Sequence, residues 1–154
     1  MGVEIERKFL PSTEAWRAVV GAGTRYVQAY LLTDPDRTVR VRVAGAAAYL
    51  TIKGRTHGAS RAEFEYPIPV ADAEALLALC PRPPVEKIRY RVPLGAHVFE
   101  VDEFVGANAG LVVIEVELAH ENEDFPRPLW LGDEVTHDTR YANACLIEHP
   151  FSTW

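Results

Sequence analysis

The sequence predicts a mostly β fold with a few helices (α+β): an eight-stranded antiparallel closed β-barrel with a charged interior and about three covering helices. Three observations lead there. Eight stretches alternate apolar and polar residues or carry strand-forming side chains. Most links between them are short and rich in the Gly and Asn that hairpin turns need. The charged side chains of the stretches fall on one parity, and in most stretches one sign dominates.

The strands are expected at 3–9 (VEIERKF), 26–32 (YVQAYLL), 38–43 (TVRVRV), 48–53 (AYLTIK), 61–67 (RAEFEYP), 86–92 (EKIRYRV), 97–103 (HVFEVDE) and 111–118 (LVVIEVEL). Ala44–Ala47, Pro93–Ala96 and Gly106–Gly110 read as hairpin turns, and 54–60 as a looser loop. Three stretches read as helices. Pro11–Val20 has Ser12 or Thr13 as its N-cap, Val70–Cys80 stops at Pro81, and Asp138–Ile147 follows a capping Asp or Thr and ends before Pro150.

The 154 residues fit one domain, 1–154, with a real core. Apolar residues make up 48% and charged residues 25%, an ordinary globular composition. The net charge of -6 is the opposite of what a nucleic-acid binder with a broad basic surface carries. No apolar run is long enough to span a membrane, and the first residues carry no secretory h-region, so the expected location is the cytoplasm. Cys80 and Cys145 form no C-x-x-C pattern and are expected as reduced thiols. The five histidines show no ligand spacing.

Side chains two apart on a strand share a face. Glu4, Glu6 and Lys8 therefore oppose Val3, Ile5 and Phe9, and Arg40 and Arg42 oppose Val39, Val41 and Val43. Lys53 opposes Leu50 and Ile52, and Glu63 and Glu65 oppose Phe64 and Tyr66. Lys87, Arg89 and Arg91 oppose Ile88, Tyr90 and Val92. Glu100 and Asp102 oppose Phe99 and Val101, and Glu115 and Glu117 oppose Ile114, Val116 and Leu118. One such strand says little, because an antiparallel sheet with a wet face alternates in the same way. The set says more. Like charges repeated along a strand repel, and a sheet has no stability reason to gather them. A ligand supplies one: acidic pairs hold a divalent cation through oxygen, and basic pairs hold phosphate oxygens. The chain has 13 arginines and three lysines, and Lys8, Lys53 and Lys87 all lie on the charged parity. With that face inside a barrel, the outer wall is apolar. Whatever the helices leave uncovered is then a subunit contact, such as a homodimer, or a bare patch.

The motif Glu4-Ile5-Glu6-Arg7-Lys8 resembles the E-x-E-x-K signature of the CYTH superfamily, the triphosphate tunnel metalloenzymes. Arg40-Val41-Arg42, Thr51-Ile52-Lys53, Glu63-Phe64-Glu65, Lys87-Ile88-Arg89, Glu100-Val101-Asp102 and Glu115-Val116-Glu117 follow in the order of that family, so the resemblance covers essentially the whole chain. It implies a tunnel that binds a triphosphate with one or two Mg²⁺ or Mn²⁺ ions. By that resemblance Glu4, Glu6 and Glu117 carry metal, with Glu115 and Asp102 next. Lys8, Arg40, Arg42, Lys53, Lys87 and Arg89 grip phosphate, while Glu63, Glu65 and Glu100 order the basic residues or the attacking water. The implied catalytic set is Glu4, Glu6, Lys8, Glu63, Glu65, Glu100 and Glu117. Arg91 matches by parity but not by motif.

The short chain looks like the bacterial members that hydrolyse inorganic triphosphate to pyrophosphate and phosphate. One alternative is a class IV-type adenylate cyclase, or a thiamine or nucleoside triphosphatase, on the same tunnel; Tyr26 and Tyr30 are available to stack a base. A second alternative, a non-enzymatic polyphosphate-binding module, has no need of the carboxylates. A lipocalin-like carrier of apolar ligands conflicts with a charged interior.

Overall fold

A computed structural model describes residues 2–154. All eight expected strands form: β1 (Gly2–Pro11), β2 (Thr24–Asp34), β3 (Arg37–Ala44), β4 (Ala47–Gly54), β5 (Ser60–Ile68), β6 (Val85–Leu94), β7 (His97–Phe104) and β8 (Val112–Glu117). A short β9 (Leu131–Glu134) was not expected, because Leu-Gly-Asp-Glu shows no alternation. It pairs with the end of β1, with Phe9 opposite Glu134 and Pro11 opposite Leu131.

All pairings are antiparallel, in the order β5-β4-β3-β2-β6-β7-β8-β1-β9, and a further β5–β1 pairing closes the first eight strands into a ring. The hairpin β3–β4 turns on Gly45, whose φ of 59° a β-carbon would disfavour, and β6–β7 turns on Gly95 at 60°. Val41, Val101, Ile114 and Val116, on the apolar parity, are fully buried, yet they are buried on the outside of the ring. One cluster joins Phe9, Phe99, Ile114 and Val116 to Trp16 and to Trp130 at the end of the β8–β9 connection. A second gathers Val85, Phe104 and Val113 around Tyr141 and Leu146 of the C-terminal segment. A third seats α1 (Val70–Leu79), through Ala73, on Val41 and Ala48.

The three-helix expectation needs correction. Only α1 is a covering helix of the expected length. The first stretch forms a short 3-10 helix, Glu14–Ala18, capped by the Thr13 side chain; the following Gly21-Ala22-Gly23 gives nothing to extend it. The last stretch splits at Ala142, whose ψ of 134° is extended, into a 3-10 turn (Thr139–Tyr141) and α2 (Asn143–Glu148). Val85, Phe104 and Val113 share the parity of Lys87, Asp102 and Glu115, so this second cluster lies on the interior face; the break lets Tyr141 pack into it while Asn143 turns toward the cavity. The wall left bare carries Val3, Ile52, Phe64 and Tyr66, with Ile52 directly opposite Phe64. Among the described residues no helix is long and apolar enough to cross a membrane.

Candidate active site

A cavity of about 270 Å³ lies inside the ring, and each of the eight ring strands contributes side chains to its lining. β9 contributes none, and the segment 142–144 at the start of α2 adds Asn143. Sheet order sorts the lining by sign. β4, β3 and β6 bring Lys53, Arg40 and Arg42, and Lys87, Arg89 and Arg91, with the neutral β2 and its Tyr26 and Tyr30 lying between β3 and β6. β7, β8, β1 and β5 follow around the ring with Glu100, then Glu115 and Glu117, then Glu4 and Glu6, then Glu63 and Glu65. Two contiguous arcs result, one basic and one acidic, with Lys8 and Arg61 as the cations set in the acidic one.

Within the acidic arc like charges meet head on. Glu6 lies opposite Glu117, and Glu100 opposite Glu115. Such pairs destabilise a bare sheet. Burial, then Glu115 and Glu4, push the Glu6 carboxyl up to about 7, although Lys8 and Lys53 pull the other way. Glu117 is raised as well, by burial and by Glu4, Glu6 and Glu100. Glu115 goes the other way: burial opposes its charge, but Lys8, Arg89, Lys87 and Lys53 outweigh burial and hold it far below the usual carboxylate range. On the basic side, burial lowers the Arg42 guanidinium, and Arg40 and Arg89 lower it further. Like-charged neighbours thus add to burial in disfavouring the charged forms of Glu6, Glu117 and Arg42.

The contacts show which charges are already matched. Lys53 Nζ donates to Glu4 at 2.7 Å and lies 3.4 Å from Glu63. One oxygen of Glu65 accepts from Thr51 at 2.8 Å, Arg40 at 3.3 Å and Arg42 at 3.4 Å. Glu100 accepts from Arg91 at 2.9 Å and lies 3.3 Å from Arg89. Arg89 donates to Glu115 at 3.0 Å, and Lys8 Nζ is 3.6 Å from Glu115 and 3.8 Å from Glu6.

Every residue of the expected set lines this cavity except Asp102. Asp102 is 1% exposed, and its oxygens accept from Lys87 Nζ, Arg89 Nε and Arg89 Nη2, each at 2.7 Å. Asp102 shares the interior parity of Glu100, but in this structure both of its oxygens are turned to Lys87 and Arg89 and it does not line the cavity. Lys87, itself 2% exposed, also donates to Asn143 at 3.0 Å. Burial, opposed by Asp102 and reinforced by Arg89, brings its ammonium down to about 8.

Sequence reasoning missed Arg61, Thr38 and Asn143 as lining residues. Arg61 shares the parity of Glu63 and Glu65 and was within reach of the same argument; Asn143, on an expected covering helix, carried no signal. Arg91 lies at the more open part of the lining, its side chain 62% exposed. Among the described residues no group of three or more His, Cys, Asp or Glu is drawn together at metal-ligand spacing. Glu6 and Glu117, directly opposite each other, nevertheless fit a divalent cation, which would relieve the repulsion between their ionised forms.

Comparison with known proteins agrees with this geometry. A CYTH domain model matches residues 2–145. An Acetivibrio thermocellus protein named inorganic triphosphatase is 46% identical, over 100% of this chain and 99% of its own length. A Nitrosomonas europaea protein of the same name is 38% identical, over 93% and 95%. A crystal structure of an inorganic triphosphatase superposes with a TM-score of 0.64 at 35% identity, covering 96% of this chain and 95% of that one. A Hippeastrum protein described as a putative adenylyl cyclase with a dominant triphosphatase activity has a TM-score of 0.58 at 16% identity, over 78% and 80%, and shares the fold alone. A family match across nearly all described residues and a full-length relative at 46% identity leave one conclusion: this chain belongs to the CYTH domain family.

Proposed function

We propose that this protein hydrolyses inorganic triphosphate to pyrophosphate and orthophosphate in the tunnel, with the acidic arc holding Mg²⁺ or Mn²⁺ and the basic arc holding the phosphate chain. The observation that carries this reading is the separation of the lining into two contiguous arcs of opposite sign. A triphosphate with a divalent cation presents the complementary pair. The two full-chain relatives named inorganic triphosphatase support the same substrate over a cyclase or a thiamine triphosphatase.

In the reaction a water oxygen bonds to a terminal phosphorus as the bond to the bridging oxygen breaks, and pyrophosphate departs with that oxygen. Such transfer needs positioning and charge neutralisation more than covalent help. Arg40, Arg42, Lys53, Lys87 and Arg89 spread the charge on the phosphate oxygens, the arginines through their planar forks. Asp102 sets the direction of Lys87 and Arg89 from behind. Glu65 holds Arg40 and Arg42 until an anion arrives, and Glu100 does the same for Arg89 and Arg91. Glu6 and Glu117 would hold the cation, with Glu4, which is paired with Lys53 in this structure, beside them. Glu115 stays paired with Lys8 and Arg89. A bound Mg²⁺ or Mn²⁺ supplies polarisation of the phosphoryl oxygens and a lowered pKa for water. The chain acts as one domain, 1–154, in the cytoplasm, where Cys80 and Cys145 stay reduced as the free thiols they are here. The bare outer patch at Val3, Ile52, Phe64 and Tyr66 is where a homodimer would form.

The test is a panel of triphosphate, ATP and thiamine triphosphate with Mg²⁺ or Mn²⁺, with phosphate release and cyclic AMP both read. Triphosphate should give the highest kcat/KM. Predominant cyclic AMP formation from ATP, or no turnover of triphosphate with either metal, overturns the reading.

A further inference from the structure

The basic arc poses a problem that its carboxylates do not solve. Arg42 and Arg89 rise from β3 and β6, the two strands that flank β2, and are close enough to repel. Arg89 is braced by Asp102 and Glu115. Arg42 has only one carboxylate, Glu65 at 3.4 Å, and its buried Nε has no hydrogen-bond partner among the described residues. What it does have is aromatic. Its guanidinium carbon lies 5.0 Å from the centre of the Tyr26 ring and 5.6 Å from that of Tyr49. The Arg89 guanidinium carbon lies 4.8 Å from the centre of the same Tyr26 ring.

We infer that Tyr26 is a positioning residue for the phosphate-binding arginines: its ring, carried on the neutral strand between two basic ones, is the shared cation–π support that holds Arg42 and Arg89 at the edge of the cavity. The register makes this possible, since Tyr26 pairs with Lys87 on one side while its neighbour Gln28 pairs with Arg42 on the other. A cation or a carboxylate at position 26 would fail. A cation adds to the repulsion, and a carboxylate claims the donors that phosphate needs. An aromatic face attracts guanidinium without occupying its N–H groups, which stay free for oxygen. The hydroxyl is incidental.

This deepens the triphosphatase reading and rests on it. The probe is pyrophosphate binding measured by calorimetry without added metal, which reports on the basic arc alone, together with kcat and KM for triphosphate with Mg²⁺. Tyr26→Phe should bind pyrophosphate within about twofold of the parent, since the ring face remains. Tyr26→Leu should weaken binding and raise KM by roughly tenfold, with a smaller change in kcat, as expected when cation–π contacts at two partly desolvated arginines are lost. If the leucine variant does not fold, Tyr26→Met carries the same prediction. Parent-like binding in the non-aromatic variant, or an equal loss in Tyr26→Phe, overturns the role assigned to the ring. Failure of the parent protein to bind pyrophosphate would instead count against the triphosphatase reading.

Discussion

Replacing Asp102 with asparagine separates two jobs that its position in the sequence cannot. As a metal ligand, Asp102 would affect cation affinity and little else. As the buried partner of Lys87 and Arg89, it should affect stability first. The side chain is 1% exposed and accepts three bonds of 2.7 Å from two cations. Breaking a buried ion pair by removing one charge typically costs about 3–5 kcal/mol. The Asp102→Asn side chain would keep one acceptor but turn an amide toward a cation. Arg89 retains Glu115 and Glu100, and Lys87 retains Asn143, so the lower end, about 3 kcal/mol, is expected. For a chain of this size that lowers Tm by roughly 6–12 °C. The pH dependence has a definite sign. Burial alone would raise the Asp102 carboxyl, but Arg89 and Lys87 hold it below its ordinary 3.8. Its stabilisation is therefore complete above that range and is lost as pH falls through the folded-state value, so the parent and variant curves should converge in acid. Denaturant unfolding from about pH 3 upward, alongside Mn²⁺ titration at about pH 7, would check this. A variant within about 0.5 kcal/mol of the parent whose metal affinity falls by about tenfold would refute the reasoning and return Asp102 to the cation.

Glu117→Gln should abolish turnover while leaving pyrophosphate binding within about threefold, because it removes a cation ligand and no phosphate contact; unimpaired turnover with Mg²⁺ would remove Glu117 from the metal site. Without added cation, Glu6 binds its proton up to about 7 against 4.5 in the unfolded chain, so folding stability should fall as pH rises through that window. Glu6→Gln should flatten that slope, and calorimetry at about pH 6.5 should show proton release when Mg²⁺ binds. Trp16, wholly buried in the outer cluster with an indole N–H unpaired among the described residues, should cost about 3–5 kcal/mol as Ala but much less as Phe, measured by chemical unfolding.

The ring was legible because strand parity is a short-range property. Two-residue spacing put Arg40 with Arg42 and Glu115 with Glu117 whatever their neighbours turned out to be. The order of strands around the ring is a long-range property, and the two arcs follow from it. Only the pairing of β1 with both β8 and β5 makes the acidic strands adjacent to one another, and only that of β2 with β6 joins the basic ones into one arc. The enclosure of Asp102 by Lys87 and Arg89 was hidden for a related reason. Its parity is correct, but burial decides whether a carboxylate faces an ion or a lysine, and parity carries no depth. Asn143 was hidden because the helix break at Ala142 answers to Tyr141 packing against Val85, Phe104 and Val113 and not to any local propensity. The short β9 escaped because its pairing with the end of β1 owes nothing to alternation.

The closing seam between β1 and β5 has one more consequence. It spans four residue pairs, Gly2–Ile5 against Ser60–Glu63, whereas β2 and β3 match along eight. The runs β2 to β5 and β6 to β8 join neighbours in sequence, but β1 must find partners from the far side of the chain. Loop-closure entropy places such non-local pairing late in folding. The last strand to enter is then the one that brings Glu4 and Glu6 up against Glu117, so the charges that equip the tunnel for catalysis also repel the strand that completes it. Mg²⁺ present during refolding would ease that final step, making the proposed cofactor an aid to barrel closure as well as to turnover.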